Sequence, residues 1–228
     1  MKKVLSLLSA LALSSTPVLA DPEIKQWNTP HSMGCMLVQD CTDGVVPITD
    51  LEILRSTFPG SNYDIVGPEF LALKDEMNRI GIGVYLADAK YFPRGTRGVY
   101  HTVGNNFFLN TKYMWDPKTL LSVTRHEGWH AVQDCMAGSI DNNSIAVVWN
   151  DGVVPQGYQV RANVAYAMTP AAIPWEAEAI WAGEESYQTV NGLKACKNPN
   201  GDIWQVYPPT PMTGEWLIDN GFWDGNSK

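Results

Sequence analysis

The sequence predicts an α+β domain, because strand-like runs precede a series of helices instead of alternating with them. Two β-rich runs, residues 98–103 and 106–113, are separated by the hairpin-like Gly104-Asn105. A long helix follows directly over residues 116–135, with Asp116 as cap and Pro117 in the first turn. From Tyr158 onward the pattern is helical or loop-like. The expected architecture is a small antiparallel or mixed sheet packed on the 116–135 helix, with further helices behind it.

The elements follow in chain order. Met1-Lys2-Lys3, a short apolar run to Leu13, and Val18-Leu19-Ala20 before Asp21 form the pattern of a secretory signal peptide over residues 1–20. The apolar run is shorter than the roughly 20 residues a membrane span needs. Residues 21–228 then form one domain with no integral membrane segment, and no lipobox Cys follows the cleavage site. The expected destination is the periplasm or the cell exterior. Residues 21–48 are rich in turn formers and read as an irregular N-terminal segment. Thr49-Asp50-Leu51-Glu52 fits a capping box before a short helix ending at Pro59-Gly60. Phe70, Leu73, Met77 and Ile80 keep helical spacing over residues 68–79, and residues 82–87 read as a buried strand. After Gly138 a loop runs to about Gly157. Residues 158–168 read as a helix, residues 169–174 break it, and a further helix spans 174–193. A tail rich in Trp and Pro begins its last helix at Thr213. Trp204, Trp216 and Trp223 in that tail read chiefly as packing residues.

The formal charge is −8, and Lys2 and Lys3 leave with the signal. An acidic chain without a basic run excludes nucleic acid and anionic lipid surfaces as partners. The four cysteines allow three pairings. The reading pairs Cys35 with Cys41 as a local loop, and Cys135 with Cys196 as a link from the long helix to a later one. No Cys-x-x-Cys is present, which argues against a thiolate zinc site.

The chemistry lies in His126-Glu127-Gly128-Trp129-His130. Two of the chain's four histidines stand at i and i+4 on the capped helix. Residues at that spacing share a helix face about 5–6 Å apart, so both imidazoles can reach one zinc ion. Glu127 sits about 100° further round the helix, within reach of a water at the metal.

This His-Glu-x-x-His run resembles the zincin metallopeptidases. The resemblance implies a zincin-like fold, a zinc ion on His126 and His130, and Glu127 as general base for hydrolysis of a protein or peptide substrate. It also implies a substrate-lining strand near the active-site helix, placed by analogy at residues 106–110. The metzincin continuation is absent, because positions 133 and 136 hold Gln133 and Met136. The thermolysin-type Asn-Glu-x-x-Ser-Asp segment is also absent. Pro174-Trp175-Glu176-Ala177-Glu178-Ala179 looks like the second-helix glutamate of gluzincin-like peptidases.

Residues two apart on a helix diverge by about 200°, so only one of Glu176 and Glu178 can face the metal. Glu178 is the choice for third ligand, because Pro174 and Ala182 leave its face slim enough for close packing. Glu176 is the runner-up, and His101 and His31 are weaker rivals. Tyr158, Tyr166, Tyr187 and His101 are candidate oxyanion donors. Asp134, Asn110 and Asp116 are candidates to orient the imidazoles. Two alternatives stay open: a zincin-like zinc-binding or interaction protein without catalysis, and a hydrolase of cell-wall amides.

Overall fold

The computed structural model describes residues 9–12, 32–149, 152–196, 203–208 and 210–221. It is an α+β arrangement with a small mixed sheet and a helical second half. The strands are β1 (Ser9–Ala12), β2 (Val45–Pro47), β3 (Gly83–Ala87), β4 (Thr96–His101) and β5 (Asn106–Asn110). Their order across the sheet is β1-β4-β5-β3-β2. β4 and β5 form the expected hairpin, with Tyr100 opposite Phe107. That hairpin turns β5 back alongside β3, and the two pair in parallel with Val84 opposite Phe107. β2 pairs antiparallel with β3. β1, which lies within the segment read as an export signal, pairs antiparallel with β4.

Side chains along β5 alternate between two cores, as the two-residue period of a strand requires. Phe107 and Leu109 join Val84, Leu86 and Tyr100 against α3 (Gly67–Ile80) and α4 (Pro117–Met136). Phe108 joins Val99, Met36 and Leu37 on the opposite face. Both faces of β5 are covered, which explains why every residue of it is buried. Met36 and Leu37 belong to α1 (Met33–Leu37), which Ser32 caps through the Cys35 amide. Cys35 and Cys41 are disulfide-bonded behind it. The stretch expected to be irregular therefore holds a short helix and β2.

α2 (Leu51–Thr57) is capped by Asp50, not Thr49, with its carboxylate accepting from the Glu52 amide at 2.8 Å. In α3, Phe70, Leu73, Met77 and Ile80 are buried as their spacing predicts. Asp116 caps α4 through the Lys118 and Thr119 amides.

α4 is the central helix. Every residue from Val123 to Met136 is buried, including Arg125, His126, Glu127, His130, Gln133 and Asp134. With Thr124, that makes seven buried polar side chains in one helix interior, which contradicts core patterning, and such a conflict marks a functional region. Arg125 is neutralised by a two-pronged pair with Glu69 of α3, at 2.8 and 2.5 Å.

The second half begins with α5 (Gln156–Ala165). The single helix expected over 174–193 is two, α6 (Ile173–Glu184) and α7 (Gln188–Ala195). The break falls at Tyr187, whose φ of 59° is left-handed. Its amide donates at 2.7 Å to the same Glu69 carboxylate that holds Arg125. A tertiary contact, invisible to local patterning, thus fixes the turn. α8 (Ile203–Val206) and α9 (Pro211–Asp219) follow, with α9 capped by Thr210 and starting two residues before the expected Thr213. Among the described residues no helix is long and apolar enough to cross a membrane.

Candidate metal centre

α4 and α6 cross at the centre of the domain, and β4 lies along the other side of α4. Gly98 allows that approach. A Cβ there would lie 2.6 Å from Val123 Cγ1 and 3.3 Å from Glu127 Cγ. Removing the side chain at 98 lets the strand lie against the glutamate.

His126 and His130 point their Nε2 atoms at one another, 3.2 Å apart. Glu176 Oε2, from the first turn of α6, lies 3.4 Å from His126 Nε2 and 3.7 Å from His130 Nε2. This buried His126–His130–Glu176 group could hold a metal ion. The triangle fits that role quantitatively. Ligands at 2.0–2.1 Å from a tetrahedral zinc ion stand about 3.3 Å apart. Glu176 Oε2 is buried yet has no hydrogen-bond partner among the described residues. Such an orphan is costly unless something positive occupies the space in front of it.

The protonation pattern agrees. Burial works against charge on Glu176, but the neighbouring imidazoles hold its carboxyl well below the usual carboxylate range. Burial also opposes charge on His130, yet Glu176 outweighs it and pushes the imidazole up to about 9. His126 is lowered by burial. The group thus keeps a positive charge beside Glu176, and a divalent cation is the natural replacement for that proton.

The glutamate chosen from sequence is elsewhere. Glu178 is as buried as Glu176, at 1% against 2% exposed, but it faces away from the imidazoles. Oε1 accepts from the Val148 and Trp149 amides at 2.9 and 2.8 Å. Oε2 accepts from Gln133 Nε2 at 2.8 Å and Trp129 Nε1 at 3.3 Å. The slim face read as metal-facing is instead the one that packs on α4 and the returning 146–149 loop. Its link to the site is indirect. Gln133 Nε2 also donates to the Trp175 carbonyl at 3.0 Å, which turns Gln133 Oε1 toward His130 Nδ1, 2.7 Å away. With Nδ1 donating there, Nε2 is left free to face the metal position. Glu178 therefore orients His130 through Gln133. Gln133, three residues after His130 on α4, was not singled out from the sequence.

The expected orienting residues do other work. Asp116 caps α4. Asn110 bonds the Thr96 carbonyl and the Lys112 amide. Asp134 accepts from the Tyr100 hydroxyl at 2.7 Å. The His126 ring is instead hydrogen-bonded to the Ala179 carbonyl of α6.

Glu127 stands beside this group. Its Oε2 accepts from the Tyr100 amide of β4 at 3.0 Å, while Oε1 is buried without a partner among the described residues. Burial pushes its carboxyl up to about 8. Of the candidate oxyanion donors, Tyr166 alone meets the site. Its hydroxyl is hydrogen-bonded to Glu176, and burial followed by that carboxylate raises it above the ordinary tyrosine value. Tyr158 bonds Glu184 at the surface, and Tyr187 forms the turn before α7. His101 ends β4 on the side chain parity of Val99, toward Leu37, and its Nδ1 has no partner among the described residues. His31 lies outside the described residues, as do Trp223 and the side chain of Trp204.

β4, flanked by β1 and β5, is the strand whose backbone bonds α4, through the Tyr100 amide and Glu127; β5, expected to line the cleft, lies between β4 and β3. Comparisons with family models, with curated proteins and with solved structures find no match to this chain.

Proposed function

We propose that the chain is an exported zinc-dependent peptidase, with a zincin-like arrangement of sheet and central helix. The observation that carries this reading is a buried ligand triangle, flanked by Glu127, in which Glu176 Oε2 and Glu127 Oε1 have no hydrogen-bond partner among the described residues. His126, His130 and Glu176 would hold the ion, and two imidazoles with one carboxylate suit zinc. Bound there, zinc supplies Lewis acidity, lowering the pKa of water and polarising a carbonyl.

The chain's own groups do the rest. Glu127 takes a proton from the attacking water on Oε1 and delivers it to the leaving amine. The Tyr100 amide fixes the other carboxylate oxygen and so sets the direction of that transfer. Tyr166, already at Glu176, donates to the oxyanion as it develops. Sheet geometry supports a peptide substrate. The outer edge of β4 pairs with Ser9–Ala12 as an antiparallel strand, so this edge accepts extended backbone beside Glu127. The Cys35–Cys41 disulfide is compatible with export.

The test is metal analysis of purified protein with a peptide-library digest of wild type and Glu127→Gln. One zinc per chain in both, with cleavage reduced by about 10²–10⁴ in the variant, is the expected result. Equal cleavage by the variant would remove Glu127 as base, and zinc-loaded wild type that cuts no peptide would end the peptidase reading.

A further inference from the structure

We propose that Cys135 and Cys196 are a disulfide pair that ties the C-terminal end of α4 to the end of α7 in the oxidised protein. The two are free thiols in this structure, and both are buried. The Cys196 thiol is nevertheless hydrogen-bonded to that of Cys135, and Cys196 Sγ also lies 3.6 Å from the Gly192 carbonyl. Close helix packing creates this meeting. At Gly192 a Cβ would come within 2.8 Å of Val132 Cγ2 and 3.2 Å of Trp129, so α7 lies against α4 one turn before the two thiols. Both sulfurs sit in the main apolar core, with Asp134 and Arg79 near enough to act on the Cys196 thiol, and among the described residues they belong to no group of three metal-binding side chains. Thiols in contact in a dry core are placed for bonding to each other, not for nucleophilic work. The Cys35–Cys41 bond belongs to a chain that meets oxidant.

The step is thiol–disulfide exchange. One cysteine thiolate attacks the disulfide of a small-molecule or protein oxidant, releasing one thiol. The second cysteine attacks the resulting mixed disulfide, releasing the other thiol. Two cysteine thiols lose two protons and two electrons, and the oxidant's disulfide becomes two thiols. Burial raises the Cys196 thiol well above its ordinary value. The exchange therefore runs during folding, before the core closes. The bond encloses α5 and α6, and so the segment that carries Glu176 and Glu178. It holds that segment to the central helix whether or not a metal is present.

Protein refolded in a glutathione redox buffer, then denatured without reductant, should show no free thiol. Proteolysis should yield a fragment pair joining Cys135 to Cys196 that separates on reduction. Two titratable thiols, or a bond from either residue to Cys35 or Cys41, would overturn the proposal. In a Cys35→Ser/Cys41→Ser variant only the core pair remains. Reductant should lower its Tm by about 10 °C, the effect of opening a loop of about 60 residues. An unchanged Tm would also count against the bond. If that variant fails to fold, thiol titration of the wild type decides alone.

Discussion

Glu176 and Glu178 are separated by one residue on α6 and are equally hidden from solvent, yet the structure treats them in opposite ways. Glu178 has both oxygens occupied by four donors: two loop amides, Gln133 and Trp129. Glu176 has an oxygen with no hydrogen-bond partner among the described residues, aimed at two imidazoles. Their charge states diverge accordingly. Burial moves Glu178 up to about 7 against the pull of its hydrogen bonds, whereas the imidazoles hold Glu176 low despite burial. A saturated carboxylate is a structural clamp; an unsaturated one beside two facing Nε2 atoms is a prepared cation site. Burial alone does not separate these roles, but the count of partners does.

The comparison breaks most sharply at the ligand itself. Glu176→Ala should lose more than about 100-fold in zinc affinity, beyond the 10–100-fold typical of residues behind a ligand. Glu178→Ala should keep the metal within about 10–100-fold, acting only through Gln133 and His130. If Glu178→Ala loses zinc as completely as Glu176→Ala, measured well below its Tm, the two roles are exchanged. Tyr166→Phe comes next. It should retain zinc and lower kcat by about 10²-fold, the scale of one lost oxyanion donor. Unchanged kcat would leave Tyr166 as a support for Glu176 alone. The main cost of Glu178→Ala should appear in stability. It strands the buried Val148 amide, the part-buried Trp149 amide and one of the two Gln133 Nε2 protons, at about 1–3 kcal/mol per unsatisfied group. A Tm drop of about 10 °C is expected, and a drop below about 2 °C would mean that water replaces the carboxylate.

How much of this was legible in the sequence follows from how local each feature is. The α+β class, α3, the β4–β5 hairpin and α4 are encoded in spacing, caps and turn residues within a few positions, and all are present. The two imidazoles at i and i+4 are local in the same sense, and their meeting needs only a helix. The third member depends on the rotation of α6 relative to α4. That rotation is set by the loop 146–149 claiming Glu178, a contact about 30 residues away in sequence. Packing logic correctly placed Glu178 on a close-packed face, but not what that face meets. Gln133 was readable in principle, as the buried-side residue three positions after His130. The turn at Tyr187 was not, since Glu69 of α3 fixes it from 118 positions away.

Asp134 extends the contrast to a third buried carboxylate. Its Oδ2 accepts from the Tyr100 hydroxyl, while Oδ1 has no partner among the described residues. Neither an imidazole nor a set of amides compensates its charge. Burial raises its carboxyl from 3.8 to about 8, with Tyr100 opposing. Between those values the folded chain keeps a proton that the unfolded chain gives up, so this group's contribution to stability falls as pH rises. The contribution is whole below about pH 4 and is spent by about pH 8. A side-chain amide in place of the carboxyl would keep the shape and the Tyr100 hydrogen bond without an ionisable proton. Thermal unfolding of Asp134→Asn should therefore match wild type at about pH 4 and exceed it at about pH 8 by at least about 5 °C, since the rise from 3.8 to about 8 is worth several kcal/mol. Parallel Tm curves across that range would mean that Asp134 stays ionised in the fold. It would then have to share a cation or solvent with the thiols beside it, and the distinction drawn between clamped and orphaned carboxylates would need a third class.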